Sequence, residues 1–311
     1  MLSRVATALF WNSRYTERAE IISRVVAVTY AYSEELQGIS PEAAAACWTS
    51  IPGILDFQLD PSDPEVALHT ALFDPFSPGS VLNSVIQARE NARSVRDTIP
   101  SEYWEATNVL FHLLNDSGKA APDEEHDMAV ASQASQMFHH LHGLRDNAML
   151  RDDGWNFMQI GRYLERAAGA VRTVDYMFKH PALVEAEQQH LSLDAVHLAT
   201  TLRMCMGYEA FSRGGAPLAP EPVADFLLLN PDFPRAAEFS IQQLSLSLHA
   251  LSRTPADVFS TEAEKLAGRL LAELRFMSPE ELFQNDLHAW LIDILKRLNA
   301  LGVALHGQYF Y

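Results

Sequence analysis

Apolar residues recur every three or four positions along almost the whole chain, and no stretch shows the strict alternation of a half-buried strand. The N-terminal stretch sets the pattern. Leu9, Trp11, Tyr15, Ala19, Ile22 and Val26 cover one side, while Phe10, Ile21, Val25 and Val28 are interleaved with charges. This reads as one long helix from Leu2 to about Glu35, stopped near Gly38. A helix apolar nearly all round is a buried helix. Its charges are therefore expected inside the protein and in ion pairs, because an unpaired buried charge is very costly.

Those charges belong to a string that the sequence writes twice. Arg14-Tyr15-Thr16-Glu17-Arg18-Ala19 returns as Arg162-Tyr163-Leu164-Glu165-Arg166-Ala167, 148 positions later, and a further arginine follows each copy (Arg24, Arg172). At about 100° per residue, Arg14, Glu17 and Arg24 fall on one side of a helix with Arg18 beside them. Arg162, Glu165, Arg172 and Arg166 project the same way. Gly161 and Gly169 flank the second stripe and leave room for a close neighbour.

Between and beyond the two copies the chain is punctuated by helix starts and stops. Ser40-Pro41-Glu42 opens a helix that Pro52-Gly53 can break, and Asp60-Pro61-Ser62-Asp63-Pro64 is a turn before a short helix, Glu65 to Leu72. After the loop 74–79, the helix Ser80 to Thr98 carries Arg89-Glu90-Asn91-Ala92-Arg93-Ser94-Val95-Arg96. Arg89, Arg93 and Arg96 share one face of it, opposite Val81, Val85, Ala88 and Ala92. Helices from Ser101 to about Leu114 and from Asp123 to about Leu150 follow, with a loop Asn115 to Asp123 between them. The helix of the second copy ends near Pro181. Ser192 to Phe211 reads as one helix, Pro222 to Leu229 as a short one, and Arg235 to Ser252 as a counterpart of Ser80 to Thr98. Thr261-x-x-Glu264 and Ser278-x-x-Glu281 have the capping-box form and introduce helices to Leu274 and to about His306. The expected fold is all-α, a helical bundle of two related halves made by internal duplication. These halves are 1–150 and 151–311, packed as one compact unit.

Composition narrows the partners. A formal net charge of −17 disfavours nucleic acid and anionic membranes, which need a basic surface. Cys47 and Cys205 sit in apolar helical contexts without CxxC or Cys/His spacing, as expected of buried reduced thiols in a cytoplasmic protein. No stretch approaches membrane-spanning length and the N-terminus has no cleavage pattern. There is no glycine-rich phosphate loop, so no nucleotide or other cofactor is expected.

Three constellations could carry chemistry. In the duplicated stripes, Arg14, Arg18, Arg162 and Arg166 could bind an anionic group, oriented by Glu17 and Glu165, or the whole set could be a structural ion-pair network. Residue types alone favour the structural reading. Arg neighbours keep the two carboxylates charged, which makes them poor proton donors. The Arg89, Glu90, Arg93, Arg96 face either completes that network or forms an anion site of its own. A di-iron centre needs Glu-x-x-His on two helices. Glu187-x-x-His190 occurs once, with Asp194-x-x-His197 on the same face, and His139, His140 and His142 lack acids at metal spacing. No metal site is expected. The five tryptophans read as core aromatics.

Together these strings carry a resemblance: Met1-Leu2-Ser3-Arg4-Val5-Ala6, Arg14-Tyr15-x-Glu17-Arg18-Ala19-Glu20, Arg89-Glu90-Asn91-Ala92-Arg93-x-x-Arg96 with Trp104-Glu105 and Asn108, and Arg162-Tyr163-Leu164-Glu165-Arg166-Ala167. In this order and spacing they resemble the bacterial alpha-E domain family over essentially the full chain. The resemblance implies an all-helical domain whose Glu-Arg motif is Glu17-Arg18 and Glu165-Arg166. It also implies partners, a circularly permuted ATP-grasp ligase and a transglutaminase-like cysteine peptidase, and hence a system that makes and trims amide-linked peptides. It attaches no reaction to the domain. Asn12-Ser13 stands where a glycine like Gly161 would match, so the two copies are expected to pack differently. The reading that follows is a partner protein, not catalytic by itself. The alternatives are a stand-alone enzyme with a cleft between the halves that uses Glu17 or Glu165 as base, and a purely structural scaffold.

Overall fold

The computed structural model describes residues 1–55, 63–179, 193–284 and 286–310, and among them every regular element is a helix. In chain order these are α1 (Ser3–Gln37), α2 (Pro41–Ser50), α3 (Pro52–Leu55), α4 (Pro64–Phe73), α5 (Val81–Ser94), α6 (Ser101–Ser117), α7 (Glu124–Ala148) and α8 (Asp153–Lys179). There follow α9 (Leu193–Met204), α10 (Tyr208–Arg213), α11 (Pro220–Leu228), α12 (Ala237–Ser252), α13 (Glu262–Phe276), α14 (Pro279–Gln284) and α15 (Leu287–Tyr309). Asp60 to Ser62 of the expected turn lie outside the described residues, as do Glu187 and His190.

Helix starts are set by the residues the sequence places there. Ser40, Asp63, Ser80, Asp123 and Asp286 each accept a backbone N–H of the following first turn, which satisfies donors that have no partner within the helix. Thr261 and Glu264 close a reciprocal capping box at the start of α13.

Three of the expected helices end or break differently in the structure. α5 ends at Ser94 instead of Thr98, because β-branched Val95 turns out of the helix with its N–H bonded only three residues back, to Ala92. Arg96 therefore lies beyond the end of α5, yet still reaches the Trp104 ring that Arg89 meets. The helix expected over 192–211 is two, α9 and α10. Met206 adopts φ 54°, and Gly207 lies so close to Phe226 and Phe233 that a Cβ there would stand 3.1 Å from each ring. The left-handed Met206, with that close approach beside it, marks the break. The helix expected from Ser278 to His306 divides after Gln284 and restarts on the Asp286 cap. The α12 helix ends at Ser252, as expected, on Arg253 in the left-handed conformation.

The chain divides into two compact units, Ala8–Met158 and Met1–Thr7 with Gln159–Tyr311. The division falls inside α1 and α8 and not in the loop at 150/151, and the first seven residues group with the second unit. In the unit Ala8–Met158, α5, α6 and α7 pack in succession, and α4 lies against all three. Its core includes Trp48, Tyr103, Phe138, Leu68 and Leu72, all essentially inaccessible. Trp48 is the one tryptophan among those buried, while Trp11, Trp104, Trp155 and Trp290 are each partly exposed. Asn12 ties three helices of this unit together. Its amide donates to the Ala88 carbonyl at 2.8 Å and accepts from the Tyr103 hydroxyl at 2.9 Å. In the unit Gln159–Tyr311, α12 packs on α13 and α13 on α15, while α11 touches α9, α12 and α14. His197 is buried there, with Nε2 3.3 Å from the Met177 carbonyl, and serves the core.

Both cysteines are buried and reduced. Burial pushes the Cys47 thiol up to about 12, so it is protonated and inert at neutral pH.

Candidate functional site

The two Glu-Arg helices present their motifs in similar ways. Glu17 is fully buried and Glu165 nearly so; Arg14, Arg18, Arg162 and Arg172 are half-buried, and Arg166 is buried. In each copy the arginine after the glutamate lies over the tyrosine one turn back, Arg18 on Tyr15 and Arg166 on Tyr163, both at 5.6 Å. Helical spacing of three residues brings that pair together, and a guanidinium over an aromatic face is an attractive contact. The two copies also differ locally. Arg14 lies over Phe10 and Trp11, whereas Arg166 donates to the Pro234 carbonyl at 3.2 Å and Tyr163 meets Phe239 edge to face.

In the unit Ala8–Met158, the stripe of α1 continues into residues that the spacing of the repeat does not single out. Arg24 Nη2 donates to Glu20 Oε1 at 2.6 Å, and His142 Nε2 of α7 lies 2.7 Å from Glu20 Oε2. That short approach to a carboxylate makes Nε2 the protonated nitrogen. The same Nε2 is 3.6 Å from Glu17 Oε2, and His139 Nε2 is 3.8 Å from Glu20 Oε1. Glu20 is buried and His142 almost so. Nearby, the buried Arg145 donates through Nε to Asp146 and reaches the Ser13 hydroxyl at 3.5 Å. Ser13, like Asn12, thus has a specific neighbour where the second copy carries Gly161.

The sequence reading found the histidine cluster on α7 but gave it no acids. Glu20 sits three residues after Glu17 and four before Arg24, on the same stripe, and that spacing was the available signal. Glu17, Glu20 and His142 each offer a ligand atom, all within 4.8 Å of one another, the one such group among the described residues. Two carboxylates and an imidazole are a set that divalent metals accept. Arg24 and His142 already bond Glu20, so an ion would have to break those contacts and replace the proton on His142 Nε2.

The Arg89 string stands apart. Arg89 Nε donates to Asn108 Oδ1 at 2.7 Å, and its guanidinium lies over Phe111 and Trp104. Glu90 pairs with Arg89 and with Arg93, and Arg96 lies over Trp104. Glu90, Arg93 and Arg96 are exposed. All these partners are on α5 or α6, so the face neither completes the Glu17 cluster nor stands as unpaired cations. It fastens the α5–α6 surface.

These observations meet a family description. A family model for Alpha-E, "a predicted alpha-helical domain with a conserved ER motif", matches residues 1–310. The chain belongs to the Alpha-E family. Glu-Arg occurs twice in its sequence, at Glu17-Arg18 and Glu165-Arg166. Similar proteins include uncharacterized proteins of Mycobacterium bovis and Mycobacterium tuberculosis, each 25% identical over 341 residues, covering 98% of this chain. The chain spans 37% of the length of these relatives. No solved structure matches it.

Proposed function

We propose that this Alpha-E protein is a helical partner of an ATP-grasp-type amide ligase system, and that it supports the ligation without being catalytic alone. The observation that carries the reading is the match to the longer relatives. Nearly all of this chain aligns with little over a third of each relative, as expected of a module that works beside other polypeptide. The resemblance to alpha-E proteins supplies the kind of neighbour, an ATP-grasp ligase with a transglutaminase-like peptidase. The burial of Glu17 and Glu165 supports a role in which the Glu-Arg helices order the surface that docks the ligase or its anionic peptide or acyl-phosphate intermediate. An accessible nucleophile or base is not part of this reading.

The proposal includes two finer points. The Glu-Arg helices are copies from an internal duplication, supported by the equal Arg18–Tyr15 and Arg166–Tyr163 stacking. The protein is cytoplasmic, supported by two buried free thiols; no helix among the described residues is long and apolar enough to cross a membrane.

Reconstitution tests the function. The ATP-grasp ligase is assayed for amide product with and without this chain, and the chain alone is assayed for ATP binding. Product that needs both proteins, with no ATP binding by the chain alone, is expected. Full ligase activity without the chain, or turnover by the chain alone, would overturn the proposal.

A further inference from the structure

The α12–α13 pair borders an open cavity of about 400 Å³, lined on one side by Gln242, Ser245 and His249 and on the other by Leu271 and Arg275. Phe259, on the segment joining the two helices, also lines it. Its ring sits on the bare Cα of Gly268, where a Cβ would fall 2.3 Å from the ring. Phe259, with Gly268 and Ala272, also borders a second cavity of about 310 Å³. The ring is 42% exposed, an unusual position for a large apolar group that only fills a core.

Behind this cavity runs a polar relay. Glu264, fully buried, accepts three hydrogen bonds on Oε2, from Ser260 N, Ser260 Oγ and Thr261 N, at 2.6 to 2.9 Å. Its Oε1 accepts from the Thr254 hydroxyl. Thr254 Oγ1 also lies 2.6 Å from Ser252 Oγ; with its one proton directed to Ser252 or to the carboxylate, it accepts from His249 Nδ1, 3.1 Å away. In this arrangement Nδ1 carries the hydrogen and Nε2 is a bare acceptor. His249 is 94% buried by its 6% exposure, and Nε2 has no hydrogen-bond partner. A buried acceptor oriented by a three-residue relay and left unpaired is costly, and here it belongs to a residue that lines a cavity. Arg275 supplies the complementary donor. It is already balanced by Glu238, 3.4 Å away, so the site does not call for a full negative charge.

We propose that this cavity binds a small apolar carboxamide, whose N–H donates to His249 Nε2, whose carbonyl accepts from Arg275, and whose apolar body displaces Phe259 from Gly268. A carboxamide is the simple group that donates and accepts side by side without net charge. A carboxylate lacks the donor, and a hydrocarbon lacks both. The inference rests on this cavity alone and is independent of the ligase-partner reading.

The probe is phenylacetamide, titrated into the full chain while the His249 ring nitrogens are followed by ¹⁵N NMR; phenylacetate and toluene are the comparisons. A saturable shift of Nε2 with phenylacetamide, weaker or absent with the other two, is expected. His249→Phe should weaken binding about tenfold, the size of one lost hydrogen bond. Ala272→Phe, at an exposed position that borders both cavities and lies outside the relay, should abolish the shift and keeps the test decisive if the His249 variant does not fold. No saturable shift up to the solubility limit overturns the proposal. So do equal shifts with all three probes, or a shift that persists in Ala272→Phe.

Discussion

Glu17 illustrates how burial turns a short motif into a structural commitment. The carboxylate is inaccessible and sits beside His142 and Glu20 among half-buried arginines. Removing one charge from such a cluster leaves its partners buried without compensation, at a cost of about 3–5 kcal/mol. Glu17→Gln is expected to lose stability of that order in urea unfolding, whereas Glu90→Gln, at an exposed carboxylate paired with the partly exposed Arg89 and the exposed Arg93, should change it by less than about 1 kcal/mol. Equal effects would mean that the Glu17 cluster is not stabilising. Glu264 gives the pH counterpart. Burial raises its carboxyl, but hydrogen bonds from Ser252, Thr261 and Ser260 outweigh this and lower it from 4.5 to about 2. A depressed carboxyl contributes its full stability above its unfolded value and loses it as the pH falls through the folded one. Thermal stability should therefore drop between about pH 4.5 and 2, and that drop should be smaller in Glu264→Gln, as differential scanning calorimetry can check. The acids of the His142 cluster were harder to read from sequence. Glu20 lies on the stripe, but only the packing of α7 on α1 shows which histidine of three meets it.

Among the elements, those with explicit signals were legible. The Ser40, Asp63, Ser80 and Thr261 caps begin their helices where the sequence put them, because a side-chain oxygen at that position competes well for the free N–H groups. Thr261→Ala should cost about 1 kcal/mol in chemical denaturation, together with some loss of helix. Less legible was the break at Met206-Gly207. Gly207 is the one local hint of the break; the end is closed by the Gly207 N–H bonding back to the Leu202 carbonyl across left-handed Met206, with the rings of Phe226 and Phe233 close against Gly207. Met206 holds a left-handed backbone that costs a non-glycine residue about 1 kcal/mol, and its side chain is 43% exposed, so little packing is lost on removing it. Met206→Gly is therefore expected to raise the melting temperature modestly, and a fall would show that the Met206 side chain contributes more than its backbone strain costs.

For the whole molecule, periodicity without alternation was enough to give the all-α class. The duplicated string with its companions gave the family, which the match over residues 1–310 bears out. The division of the chain was less visible. It falls within α1 and α8, and a boundary inside a continuous helix leaves no proline, glycine or polar linker to mark it. The Arg89 string looked like a candidate member of the central network because spacing reveals faces of a helix and not what those faces meet; its partners are Asn108, Trp104 and Phe111 on α6. The central claim is that this protein acts through a ligase partner, with the Glu-Arg helices ordering the docking surface. Its most direct measurement is capture of the tagged chain from native lysate after crosslinking, with mass spectrometry of what comes with it, for wild type and a folded Glu17→Gln/Glu165→Gln variant. The account predicts that an ATP-grasp ligase is recovered with wild type and lost with the variant. Recovery of no such ligase with wild type, or equal recovery with both chains, would contradict it.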